Sequence, residues 1–340
     1  MSFTTIKQKG AGVFYVQFAN GANGKKMKTD KIFTEAQKNK AVERWGSGFD
    51  IKILRDIEFY SKKWKLSEFQ FAGHYSFNAI FFCASKQRSG TPKEFLPYGS
   101  CVLKIGGNEQ DAEFFSECNV LREYGGGRYV KVYESDIDIN KGKKAMLLER
   151  VMPGNRLREE QSLEKRLEIF SELFNGLHIE PKNPGSFSTY EKWVCEMTDL
   201  YCNAGARYEK LCGHMKKARE LYFDIAQVYS KKVLLHGDFH ADNIISSGGG
   251  FYKIIDPKGI IGDPVFDVSR YIANESPDAK NRFANAAAII KRLEKSLQIP
   301  EKILRQCFYI EMAMVNGWSD EDGGPVKIDN LIYAEKLMNE

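Results

Sequence analysis

The stretch Leu234-Leu235-His236-Gly237-Asp238-Phe239-His240-Ala241-Asp242-Asn243, followed by Ile254-Ile255-Asp256, decides the reading of this sequence. An aspartate, four residues and an asparagine precede a short apolar run that ends in a second aspartate. Phosphoryl transfer asks for this set of groups. One carboxylate must orient an attacking hydroxyl and accept its proton, and hard oxygen donors must hold Mg²⁺ against the phosphates. The Asp-x4-Asn spacing is that of a phosphotransferase catalytic loop. Taken in order, Asp238 fits the base, and Asn243 and Asp256 fit the metal ligands.

Working outward, the chain upstream of this block reads as strands near 68–72, 79–84 and 101–105. A helix over 108–124 follows, ended by Gly125-Gly126-Gly127, then strands near 129–133 and 145–151. Lys104 shares a strand face with Val102. Before these lie a hairpin around Asn20-Gly21-Ala22-Asn23-Gly24 and a helix opening at Thr34, with Gln37 at capping-box spacing. After Pro153-Gly154 the pattern turns helical. Leu163, Leu167, Phe170, Phe174 and Leu177 form one apolar stripe, Ser188 with Glu191 opens another helix, and a short β-rich interlude holds the catalytic block. The expectation is an α+β, bilobal molecule: a basic extension over 1–55, an antiparallel β-sheet lobe with one main helix over 56–151, and a mostly helical lobe over 152–340.

Composition narrows the class. No apolar run approaches the ~20 residues that span a bilayer; Ala79-Ile80-Phe81-Phe82-Cys83-Ala84 is strand length. The start lacks the apolar segment of a signal peptide. Seven cysteines without a CxxC pair read as reduced thiols, which makes the cytosol the expected compartment. Residues 1–65 carry 14 Lys/Arg against 6 Asp/Glu, while the whole chain is only +5. A basic segment can mean nucleic acid, but these lysines are scattered and bounded by Glu35 and Glu43, so a solvated helix face is the preferred reading. His74, His178 and His214 have no ligand-like neighbours in sequence, and no transition-metal site is expected. The sequence carries no signal for oligomeric state.

The block His236-Gly237-Asp238-Phe239-His240-Ala241-Asp242-Asn243 resembles the HGDxHxxN motif of the aminoglycoside phosphotransferase and choline-kinase-like family, which has a protein-kinase-like fold. Ile255-Asp256-Pro257-Lys258-Gly259, Gly262-Asp263-Pro264-Val265-Phe266-Asp267 and Trp318-Ser319-Asp320-Glu321-Asp322-Gly323 are most similar to its streptomycin and hydroxyurea-resistance branch. The resemblance covers about residues 60 to 325. It implies a Mg²⁺-dependent enzyme using ATP or GTP, with Asp238 as base, Asn243 and Asp256 on the metal, and Asp267 bracing the loop. It implies further that Lys104 holds phosphates with Glu117 as its ion-pair partner. Residues 145–151, with Glu149 and Val151, would face the adenine. Gly73-His74-Tyr75-Ser76-Phe77-Asn78 stands where a glycine loop would cover the phosphates, with Gly73, Ser76 and Asn78 as its contacts, although GxGxxG itself is absent. Gly237 occupies the place of a protein-kinase arginine, so a constitutive enzyme is expected.

For the remaining residues, alternatives stand side by side. His236 and His240 read as structural, bonding the loop backbone. Asp242 is a solvated residue or a substrate contact. Lys258 is a third phosphate contact or a salt bridge to Asp263. Asp320, Glu321 and Asp322 are a solvated charge run or partners of a cationic substrate. Three functions follow: a kinase of an aminoglycoside of the streptomycin type, a housekeeping kinase of another small alcohol (an amino alcohol, a sugar derivative or a nucleoside-like compound), or a nucleotide-binding or regulatory protein without turnover.

Overall fold

The computed structural model describes residues 32–73, 78–85, 99–107, 111–275 and 282–340. The expected hairpin near residue 20 and the expected phosphate contact Ser76 lie outside them. The chain divides into two compact units, Met1–Val151 and Met152–Glu340.

In the first unit, helices α1 (Glu35–Trp45) and α2 (Phe49–Lys63) precede strands β1 (Leu66–Phe71), β2 (Asn78–Ser85) and β3 (Ser100–Gly106). Then come helix α3 (Asp111–Tyr124) and strands β4 (Val132–Asp138) and β5 (Lys143–Glu149). The strands form one antiparallel sheet in the order β1-β2-β3-β5-β4. Thr34 caps α1 as its spacing predicts: Thr34 Oγ1 accepts the Gln37 N–H and Gln37 Oε1 accepts the Thr34 N–H.

Alternation along β3 separates two faces. Cys101, Leu103 and Ile105 point into a core with Ala79, Phe81 and Cys83 of β2, and with Ile53, Ile57, Tyr60 and Trp64 on and beside α2. Lys104 lies on the other face. The described part of the expected extension is thus packed as a layer behind the sheet, with Phe33, Phe49 and Ile53 nearly solvent-free. A division at residue 55 would cut α2. β4 runs over 132–138, later than the sequence suggests, because every described side chain on it is half-buried and no alternation marks it.

The second unit contains α4 (Leu163–Phe174), β6 (Ser188–Thr189), α5 (Tyr190–Asn203), α6 (Glu209–Ala226), β7 (Val233–Leu235), β8 (Ile244–Gly248), β9 (Phe251–Ile254) and β10 (Ile260–Gly262). Helices α7 (Val265–Glu275), α8 (Arg282–Leu297), α9 (Glu301–Glu321) and α10 (Ile328–Asn339) complete it. Leu167, Phe170 and Phe174 bury one stripe of α4, and Leu177 is buried just past its end. α5 is capped by Thr189, one residue later than the expected Ser188, since Thr189 Oγ1 accepts the Lys192 N–H. Two small β-assemblies matter for the site: β10 pairs antiparallel with β7 and parallel with β6, and β8–β9 is a hairpin.

One sequence expectation is overturned. Cys202 and Cys212 form a disulfide, so the cysteines are not all reduced thiols. They sit at the end of α5 and the start of α6, and the short turn between these helices brings their Cα atoms to 4.8 Å. A spacing of ten residues carries no such signal in sequence. Among the described residues, no helix is long and apolar enough to cross a membrane.

Candidate active site

The catalytic block hangs between β7 and β8, where the backbone leaves regular pairing and side chains must satisfy it instead. Asp267, in the first turn of α7, does most of this. Its Oδ2 accepts the His236 N–H at 2.8 Å and the His178 ring N–H at 2.9 Å, and its Oδ1 accepts the Gly237 N–H at 2.8 Å. Asp263 plays a parallel part, accepting the Lys231 and Val265 N–H groups at 3.1 Å each. Both carboxylates are buried.

Gly237 has φ +77°, and an added Cβ would stand 3.2–3.3 Å from Lys258, Ile260 and Trp193. Conformation and space both require glycine there. The following segment is pinned to the same turn, because the Lys258 and Gly259 N–H groups donate to the His236 carbonyl at 2.8 and 3.1 Å.

His236 is fully buried, and burial lowers its pKa. Its Nδ1 accepts the Asp238 N–H at 3.1 Å while its Nε2 donates to the Ile255 carbonyl at 2.9 Å, so the neutral ring bridges the two halves of the block. His240 works similarly. Its Nδ1 accepts the Asp242 N–H at 3.3 Å, which leaves the protonated Nε2 facing Asp238 Oδ1 at 3.4 Å.

Asp238 itself is held by a residue the sequence reading missed. Arg270 Nε donates to Asp238 Oδ1 at 2.7 Å, and Arg270 Nη1 meets Glu311 Oε1 of α9 at 3.0 Å. Burial alone would push the Asp238 carboxyl up. The His240 hydrogen bond and the Arg270 guanidinium outweigh it and hold the group well below the usual carboxylate range. Glu311 is pushed up by burial, against the opposing pull of Arg270.

Asn243 and Asp256 flank the β8–β9 hairpin, whose register pairs Ile244 with Ile254. The Ile255 N–H donates to the Asn243 carbonyl at 2.9 Å, which brings the two positions side by side. Asn243 Nδ2 donates to the Asp238 carbonyl at 2.9 Å, and Oδ1 is the acceptor end of the same amide. Asp256 has φ +55°, a left-handed backbone that a non-glycine residue adopts at a cost. An amide oxygen and a carboxylate are hard donors suited to Mg²⁺ and poor ligands for softer ions. Among the described residues, no three His, Cys, Asp or Glu side chains form a metal-binding group.

Asp242 is part-exposed and ion-paired. Arg158 Nε lies 3.2 Å from its Oδ2, and Arg158 continues to Glu275, which Arg166 also holds at 2.7 Å. Asp320 lies apart from the loop's own contacts. Its Oδ2 accepts the Tyr208 and Tyr201 hydroxyls at 2.8 and 3.2 Å, while Glu321 and Asp322 are exposed at the end of α9. A depression of about 450 Å³ includes Tyr208, Asp320, Lys210 and Pro325 in its lining and no residue of the catalytic loop. Trp193 and Trp318, half-buried and 5.6 Å apart, connect the loop to this end of α9.

In the first unit, Lys104 Nζ lies 2.8 and 2.7 Å from the two carboxylate oxygens of Glu117 on α3, the pairing expected from sequence. Both are buried. Gly73 has φ +81° and Asn78 opens β2. The backbone of Glu149 exchanges a hydrogen bond with Lys131, whose N–H also reaches the Glu149 carboxylate at 3.1 Å; Val151 is buried.

Missed by sequence reasoning were Arg270, Glu311, His178, Arg158 and Glu275. Arg270 stands one helical turn after Asp267, and that spacing is the only local clue to it. Nothing in the sequence near Glu311 points to a partner 41 residues upstream.

These features sit in a recognisable context. Residues 99–323 match the family model for aminoglycoside/hydroxyurea antibiotic resistance kinases. Streptomycin 3''-kinase of Klebsiella pneumoniae is 34% identical over 79 residues, covering 21% of this chain and 29% of that protein. Among solved structures, an aminoglycoside phosphotransferase APH(4)-Ia variant, in a ternary complex with ADP and hygromycin B, has a TM-score of 0.55 at 14% identity, covering 83% of this chain and 96% of that one. Choline kinase LicA from Streptococcus pneumoniae gives 0.55 at 13% identity, covering 85% and 99%. An ethanolamine kinase of Plasmodium vivax gives 0.54 at 12%, covering 92% and 95%. At such identities the structural likeness is one of fold, the bilobal α+β kinase-like fold. The family model spans well over half of the sequence, and on that ground the chain belongs to the aminoglycoside/hydroxyurea antibiotic resistance kinases, small-molecule phosphotransferases of the aminoglycoside phosphotransferase and choline-kinase-like group.

Proposed function

We propose that this kinase transfers the terminal phosphate of ATP to a hydroxyl of an aminoglycoside of the streptomycin type. The observation that carries the phosphotransfer reading is the convergence on one hairpin. Asn243 is bonded through its amide to the Asp238 carbonyl and through its carbonyl to the Ile255 N–H, next to Asp256. Asp238 would orient the acceptor hydroxyl and take its proton, a contribution typically of ~10²–10⁴-fold. Asn243 Oδ1 and the Asp256 carboxylate would hold Mg²⁺. When bound, the metal offsets charge on the phosphoryl oxygens. Lys104, aligned by Glu117, would contact the nucleotide phosphates. His236 and Asp267 would keep the loop rigid, so that little reorganisation is left for the reacting state. Nucleotide use is supported by the ADP complex of the structural relative, and the streptomycin assignment by the partial match to streptomycin 3''-kinase.

One observation favours a second reading, a kinase of another small alcohol. Asp320, the best placed of the acidic trio to attract a polycation, already accepts two tyrosine hydroxyls. A nucleotide-consumption screen with Mg²⁺ and ATP over streptomycin, other aminoglycosides, amino alcohols and sugars tests both, run beside a drug-susceptibility panel in an expression host. Streptomycin phosphorylation with resistance is the expected outcome. Turnover of a metabolite without resistance would replace the aminoglycoside, and no ATP consumption with any acceptor would end the kinase reading.

A further inference from the structure

Arg270 lies outside the motif that marks the site, yet it makes the shortest side-chain contact to Asp238, at 2.7 Å. Its geometry is determined from three directions. α7 presents Asp267 and Arg270 one turn apart, so the helix that clamps the loop backbone also supplies the guanidinium. On α9, Glu311 and Trp318 are seven residues apart and share a face. Glu311, with its side chain 3% exposed, takes Arg270 Nη1 at 3.0 Å, and the Trp318 ring lies 5.5 Å from the guanidinium carbon. An exposed ion pair would wander among geometries. This guanidinium is planar, forked and only part-exposed, held by Glu311 and Trp318, and Nε is the donor it turns toward Asp238.

The consequence falls on the two oxygens of Asp238. Oδ1 accepts from Arg270 and faces His240 Nε2. Among the described residues, Oδ2 accepts no hydrogen bond. Building on the reading of Asp238 as the base, we infer that Arg270 is a positioning residue: it anchors one carboxylate oxygen of Asp238 and so leaves the other to receive the acceptor hydroxyl. Glu311 and Trp318 fix Arg270 in turn. The device is absent from the HGDxHxxN block and belongs to the packing of α7 against α9.

A structural role alone is the competing explanation, in which Arg270 merely neutralises a buried Glu311. Removing one partner of a buried pair destabilises, whereas replacing both with apolar groups of similar size is tolerated. The test therefore uses the full-length chain as Arg270→Lys and as the double variant Arg270→Met with Glu311→Met. Steady-state kinetics are measured with Mg²⁺, ATP and streptomycin, or with the acceptor that the wild-type chain turns over fastest in the alcohol screen. For the folded double variant the expected result is a kcat lower by about 10–100-fold, as for a misplaced reacting group. Its KM for ATP should stay within about twofold of wild type. Arg270→Lys should recover part of the loss, since an ammonium can reach Asp238 but cannot bridge both carboxylates through a fork.

A folded double variant with wild-type kcat would overturn the inference and leave Arg270 a structural counter-charge. If the double variant does not fold, Arg270→Lys decides alone: a kcat below wild type at unchanged KM supports positioning, and a wild-type kcat overturns it. A wild-type chain that consumes no ATP with any acceptor would fail differently, removing the kinase reading on which this inference rests.

Discussion

Lys104 and Asp238, the two groups on which the proposed chemistry leans, are held by different physics. Lys104 stands on β3, whose ladders to β2 and β5 fix the backbone, and its ammonium meets both carboxylate oxygens of Glu117 on α3. Asp238 stands on a loop without a ladder. Its backbone is held by carboxylate and imidazole partners, and its side chain by Arg270. A sheet supplies position through regular pairing. A loop has to be given each hydrogen bond by a named residue. The loop should therefore be the more fragile of the two to single substitutions.

Asp267→Ala should show the largest effect. It would leave the His236 and Gly237 N–H groups and the His178 ring donor without their acceptor. At about 1–3 kcal/mol per unsatisfied buried group, a loss near 4–6 kcal/mol is expected, read as a fall in the urea midpoint of the second unit. Lys104→Ala comes next. It takes the ammonium from the buried Glu117 carboxylate, and breaking one side of such a pair costs about 3–5 kcal/mol. Adding Glu117→Met to Lys104→Met should return much of that stability without returning function, which would separate the fold's use of the pair from the nucleotide's. A Lys104→Ala loss exceeding that of Asp267→Ala would break the comparison.

How much of this was legible follows the same divide. β2 and β3 were visible because buried and less buried residues alternate along them, and the Lys104–Glu117 pairing came with the family resemblance. The catalytic block was visible because its chemistry requires fixed residue types at fixed spacing. The bracing roles of His236 and Asp267 came with that motif. By contrast β4 gave no alternation to read. Arg270 and Glu311 were invisible because their meeting depends on how α7 packs on α9, and residues 41 apart announce no contact in sequence. The Cys202–Cys212 bond was hidden for the same reason, since it depends on α5 and α6 turning back on one another. The layer formed by α1 and α2 behind the sheet was not legible, because the apolar face of Ile53, Ile57, Tyr60 and Trp64 finds its partner only in strands that follow it in the chain.

The smallest expected effect lies beside the loop rather than in it. The Tyr190 hydroxyl is buried and has no hydrogen-bond partner among the described residues, while its ring stacks on Phe266 with centroids 4.5 Å apart. Tyr190→Phe keeps the ring and removes the unsatisfied hydroxyl, so it should raise stability by about 1 kcal/mol with turnover unchanged. A loss of stability would mean that the hydroxyl has a partner, and that the surroundings of the loop are more polar than its hydrogen bonds indicate.

The most direct measurement is a comparison of wild type with Asp238→Asn at saturating Mg²⁺ and ATP, using the acceptor that the screen identifies and following both phosphate transfer and nucleotide binding. The account predicts a turnover at least ~10²-fold lower with nucleotide affinity retained, because the carboxylate acts on the hydroxyl and not on the nucleotide. Undiminished turnover in that variant would contradict it.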